Sequence, residues 1–111
     1  MARGAVQAIQ AAGLGSKGIF VGGADADAAN VNYVCEGKQS VEVLKDIRPL
    51  AEKAAEIAGA LAQGKPLEGA KQAAGEPPTL NVAVRLVTKE TAKALLVDSG
   101  FHPAKAVPAC K

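Results

Sequence analysis

GIFVGGADADAANVNYVCE, residues 18–36, decides how the rest of the chain is read. Its first half is a short apolar run, residues 18–23, bounded by glycines, which reads as a strand buried on both faces. Its second half carries Ala28, Val31, Val34 and Cys35 at helical spacing, and Gly37 closes that helix at about residue 36. Between the two lies an acidic loop. Asp27 immediately precedes the helix, where a side-chain oxygen accepts a hydrogen bond from an unpaired N–H of the first turn. Asp25 is left over. Ionised, it accepts two donors at once, which matches adjacent hydroxyls of a sugar.

Outward from this unit, strands and helices alternate. Residues 2–12 place Ala5, Ile9 and Ala12 on one helical face and stop at Gly13 and Gly15. No capping residue precedes that helix, so the sequence is expected to start partway through a larger fold. Residues 39–44 alternate polar and apolar side chains as a second strand, ending at Lys45 and Asp46. Pro49 suits the first turn of the next helix, in which Leu50, Ala54, Ile57 and Leu61 form one stripe and Gly64 is the stop. Residues 65–79 are rich in Gly, Pro and Lys, residues 80–87 form a β-type run, and Thr88 caps a last helix through about Val97. The tail after Phe101 shows no periodicity. This order predicts an α/β protein with a parallel sheet flanked by helices. In such sheets ligands bind beyond the carboxyl ends of strands, where Asp25 and Lys45 both fall.

Composition narrows the function. The 13 basic and 11 acidic residues are spread along the chain, and Phe20, Tyr33 and Phe101 are the aromatic residues, so nucleic acid is not an expected partner. No apolar run approaches the roughly 18 residues that span a bilayer, and no signal peptide is read at the N-terminus of this chain. Cys35 and Cys110 fit neither a redox pair nor a zinc pattern; unpaired thiols are expected, with one disulfide tying down the tail as the alternative. Asp25, Asp27 and Asn30 lack the rest of a calcium loop, so no metal is expected. The acidic residues after Gly22 and Gly23 repel phosphate, and no cofactor is expected. His102, without a nucleophile or acid at a recognisable spacing, reads as a solvated tail residue, and the chain reads as a non-enzyme.

GAVQAIQAAGL, IFVGGADADAANV, EGKQSVEVLKDIRPLAEKAAEIAGALAQGK and RLVTKETAKALLVDSGFH, in that order, resemble the C-terminal part of the periplasmic sugar-binding proteins of ABC transporters, in the D-xylose-binding branch. The similarity runs from about residue 4 to 103, and its most specific piece is Gly23 to Asp27 followed by Lys45 twenty residues after Asp25. The resemblance implies a partial periplasmic-binding-protein type I fold, a fragment of a two-lobed protein that closes on one monosaccharide. Asp25 would accept hydroxyl hydrogen bonds and Lys45 would donate one. Residues 1–45 would belong to the C-terminal lobe, 46–86 would pack on the N-terminal lobe, and 87–111 would return, with Asp46-Ile47 and Leu86-Val87 as hinges. Family members are much longer, so the chain is expected to need a companion: the N-terminal part of the same protein, or a swapped copy of itself. The resemblance further implies an ABC transporter permease as partner of the full-length protein and a periplasmic or extracytoplasmic location for the parent family. The alternative is the effector-binding domain of a sugar-responsive transcriptional repressor, which shares the fold.

Overall fold

Three strands make one mixed sheet in the computed structural model, which describes residues 1–111. Strand β1 (Gly22–Ala24) runs parallel to β2 (Val41–Leu44), with Gly23 opposite Glu42, and β2 is antiparallel to β3 (Arg85–Val87), with Glu42 opposite Val87. The expected parallel sheet therefore holds for β1 and β2 and is corrected at β3. Parallel strands need a crossover that returns the chain to the same end. Residues Asp46–Ala83 instead cluster as a unit of their own, while Met1–Lys45 and Val84–Lys111 together form the other.

In the first unit, helix α1 (Ala2–Ala11) and helix α2 (Ala28–Cys35) accompany the sheet. Both close as their glycines predict: Gly13 and Gly37 take positive φ, and the following amides reach back to Ile9 and Tyr33. At the start of α2, Asp27 accepts from the amides of Ala29 and Asn30 at 3.0 and 3.1 Å, so it is the expected N-cap. Asp27→Ala should destabilise this unit by about 1 kcal/mol in urea titration; an unchanged midpoint would mean that other contacts hold the helix start.

The core of this unit gathers Ala26, Val31, Cys35, Leu44, Val87, Ala92, Leu96 and Val107. It draws on the loop, α2, two strands and the tail. Several local expectations change here. Residues 18–21 do not extend β1, and Ile19 and Phe20 are exposed, because β1 lies at the sheet edge with one neighbour. The last helix is a π-helical segment, Lys93–Asp98, that buries Leu96. Thr88 does not cap it through its side chain; its hydroxyl donates to Glu90 at 2.6 Å and holds that carboxyl below the usual carboxylate range. The tail is also ordered. A 3-10 turn at Ala104–Ala106 leads to buried Val107, and Asn32 grips both sides of it, donating to the Ala106 carbonyl and accepting from the Ala109 amide.

The grip on the tail explains a further correction. Cys35 and Cys110 are disulfide-bonded, not free thiols, with their Cα atoms 5.2 Å apart. Cys35 ends α2 one turn beyond Asn32, so the contact that seats the tail delivers Cys110 to it.

The second unit is built on helix α3 (Ile47–Ala62), whose N-cap is Asp46, accepting from the Arg48 amide at 3.0 Å. The helix thus starts earlier than Pro49 suggests. Its stripe is present but uncovered: Leu50 and Leu61 are exposed, Ile57 is half-buried, and no residue of α3 is buried. After Gly64 the chain forms a loop pinned by an antiparallel bridge between Lys71 and Thr79.

Candidate functional site

The carboxyl ends of β1 and β2 lie side by side because the two strands are parallel. The residue following each strand is charged. Asp25 follows β1, Lys45 follows β2, and their side chains meet with Nζ 2.7 Å from Oδ1. Both remain open to solvent, with the side chains 71% and 57% exposed respectively. An exposed pair of this kind contributes little to stability, on the order of 0–1 kcal/mol. Its groups are correspondingly free to exchange each other for a ligand. Beside them lies a cleft of about 580 Å³ lined by Gly22, Gly23, Ala24, Asp25, Asp27 and Asn30 together with Met1 and Ala2.

The loop that presents Asp25 is conformationally unusual. Asp25 and Ala26 are the non-glycine residues with positive φ, at 81° and 51°. Aspartate visits this region more readily than most residues, but alanine has no polar side chain to compensate the close approach of its Cβ to the backbone. Something outside the loop must hold it. The Asp25 amide donates to the Val43 carbonyl at 2.9 Å, extending the ladder between β1 and β2 by one rung. The Ala26 amide donates to Glu42 Oε2 at 3.2 Å, and the Ala26 carbonyl lies 2.7 Å from His102 Nε2. A carbonyl only accepts, so this contact fixes the imidazole proton on Nε2. His102 is therefore half-buried and engaged, not the solvated tail group expected.

Glu42 has no counterpart in the sequence reading. Simple alternation along β2 would turn Val41 and Val43 inward and Glu42 out, yet Glu42 is fully buried and the valines are half-buried. Its Oε1 accepts from Asn30 Nδ2 at 2.7 Å and Gln39 Nε2 at 2.6 Å, and its Oε2 from the Ala26 amide. Three donors converge on one carboxylate. These hydrogen bonds replace the hydration that the buried carboxyl group gives up, with neutral donors only. Gly23 makes the room: a Cβ built there would lie 2.0 Å from Glu42 Oε1 and 2.8 Å from Gln39 Nε2. The one signal in the sequence was that glycine, whose neighbour in space could not be read from its neighbours along the chain.

The donor set is suited to polyhydroxylated ligands. A carboxylate lining a cleft and an ammonium group paired with it, at the carboxyl ends of parallel strands, stand where ligands bind in α/β proteins. The chain belongs to the periplasmic binding protein domain family, whose model matches residues 1–66.

Its relatives are similar along nearly the whole chain. It is 32% identical to a D-xylose-binding periplasmic protein of Haemophilus influenzae over 96% of this chain, and 37% identical to one of Escherichia coli over 91%. It spans about a third of the length of each, 32% and 31% respectively. Among solved structures, a carbohydrate transporter solute binding protein from Chloroflexus aurantiacus in complex with D-glucose superposes with a TM-score of 0.69 at 37% identity, over 78% of this chain and 26% of that one. An ABC transporter solute binding protein from Clostridium phytofermentans with bound β-D-glucose superposes at 0.66 with 28% identity, over 78% of this chain and 28% of the other.

Proposed function

We propose that this chain is the C-terminal portion of a solute-binding protein, not an enzyme, which takes up a monosaccharide for import by an ABC transporter. D-Xylose or a related sugar is the ligand. The observation that carries the reading is the meeting of Asp25 and Lys45 at the ends of two parallel strands, beside a cleft, in a chain similar to sugar-binding proteins. Asp25 accepts hydroxyl hydrogen bonds and Lys45 donates to a ring or hydroxyl oxygen, each giving up part of its contact with the other. The relatives' names also support a periplasmic location for the parent protein, which would dock on the transporter's permease.

The two units, divided after Lys45 and again after Ala83, are read as segments of the two lobes of such a protein. The absence of any buried residue in α3 supports a companion surface for its Leu50 and Leu61 stripe. The N-terminal part of the same protein supplies it, or a second copy that swaps segments.

Isothermal calorimetry against D-xylose, D-ribose, L-arabinose and D-glucose, with a size-exclusion mass on the same sample, tests this. Heat with one of these sugars supports the reading, and a mass above that of one 11.1 kDa chain would support a second copy as the source of the companion surface. A folded sample that takes up none of them, even with an N-terminal lobe supplied, would overturn it. In the sample that binds, Asp25→Ala should weaken affinity by about tenfold to a few hundredfold, roughly 1–3 kcal/mol, because sugar hydroxyls desolvated on closure lose their acceptor. Unchanged affinity would remove Asp25 from the site.

A further inference from the structure

Glu42 and His102 touch no surface of the cleft, yet both end on Ala26, the residue after Asp25. Their contacts bracket one residue: Glu42 Oε2 takes its amide and His102 Nε2 its carbonyl. Ala26 is fully buried at the edge of the core, with its φ of 51° in the left-handed region. An alanine there relaxes toward extended or helical geometry unless both its polar groups are held. Relaxation would swing the preceding peptide and with it the direction in which the Asp25 side chain leaves the backbone.

We propose that Glu42 is a positioning residue for Asp25: its buried carboxylate, with His102 on the opposite side, clamps Ala26 in the left-handed conformation and so aims the Asp25 carboxylate at Lys45 and the cleft. The consequence for ligand rests on the sugar-site reading, whereas the clamp itself does not. Gln39 and Asn30 complete the device. They saturate Oε1, which leaves Oε2 for the Ala26 amide, and Gly23 opposite keeps the space open. A purely structural carboxylate would have no need to end on the one non-polar residue of the loop whose backbone is strained.

Glu42→Gln keeps the shape but replaces one acceptor oxygen with an NH₂ group, so three donors face a single oxygen and one must leave. In the intact chain, at a temperature where circular dichroism shows the variant folded, NMR reads the turn directly. Wild type should show the strong intraresidue HN–Hα NOE of a positive-φ residue at Ala26. In Glu42→Gln that NOE should weaken to the intensity of an ordinary negative-φ residue, the Ala26 amide should exchange at least tenfold faster, and affinity for the sugar that wild type binds should fall at least tenfold. Global destabilisation alone would leave the NOE in place in the folded population. His102→Phe, which keeps the edge-on packing of ring 102 against Phe101, should speed the same exchange at least threefold, and it decides the matter if Glu42→Gln does not fold. A retained NOE with unchanged exchange in the folded variant would overturn the clamp. Sugar affinity unchanged despite a lost turn would overturn the positioning of Asp25. A wild-type chain that takes up no sugar even with an N-terminal lobe supplied would overturn the sugar-site reading, and the NOE and exchange data would then decide the clamp by themselves.

Discussion

Gly23→Ala is expected to destabilise the first unit by roughly 3 kcal/mol, the upper end of what overpacking costs. The added methyl would stand 2.0 Å from Glu42 Oε1, inside the carboxylate, and 2.8 Å from Gln39 Nε2. Neither atom is the free end of a mobile side chain. Glu42 is fully buried and its two oxygens hold Asn30, Gln39 and the Ala26 amide, so moving it breaks three buried hydrogen bonds. Moving the backbone of β1 instead would disturb its pairing with β2 at the Gly23 and Glu42 rung. Urea denaturation followed by circular dichroism measures the effect. A loss below about 1 kcal/mol would mean that the strand edge yields, and that Glu42 is less firmly held than its contacts imply.

Breaking the Cys35–Cys110 bond should lower stability by about 4 kcal/mol, because the disulfide closes a loop with a sequence separation of 75 and removes many conformations from the unfolded chain. The contacts that remain at the tail, the two Asn32 hydrogen bonds and buried Val107, bridge a similar stretch of sequence but exist only in the folded state, so they would not replace a constraint on the unfolded chain. Cys110→Ser paired with Cys35→Ala separates the covalent effect from that of a stray thiol. The double variant should unfold at a clearly lower denaturant concentration than wild type, and dithiothreitol should shift wild type toward it while leaving the variant alone. Equal midpoints for all samples would show that the tail closes the unit without the covalent bond.

Local signals along the chain were sufficient for much of the architecture. Asp27 as a cap, Gly13, Gly37 and Gly64 as helix exits, and the stripe of α3 all depend on groups within about one helical turn, and such contacts are written directly in residue order. The position of Asp25 and Lys45 just past the strand ends follows from the same reading, although the start of the first strand did not. The Glu42 cluster was not readable in this way. A lone glutamate in an alternating strand is assigned to solvent by pattern, and only the absence of a side chain at Gly23, on the neighbouring strand, makes burial feasible.

Taken alone, the sequence determined an α/β chain with one helix capped by Asp27 and a charged residue at the carboxyl end of each of two neighbouring strands, because propensity, capping and periodicity act over a few residues. Tertiary structure decided the rest. It set the antiparallel direction of β3, joined Cys35 to Cys110, and brought His102 to Ala26 across 76 positions and Glu42 to the same residue across 16. Each of these depends on which surfaces meet once the elements pack, and the free energy that selects them, from apolar burial and from satisfying buried polar groups, exists only after the chain has folded.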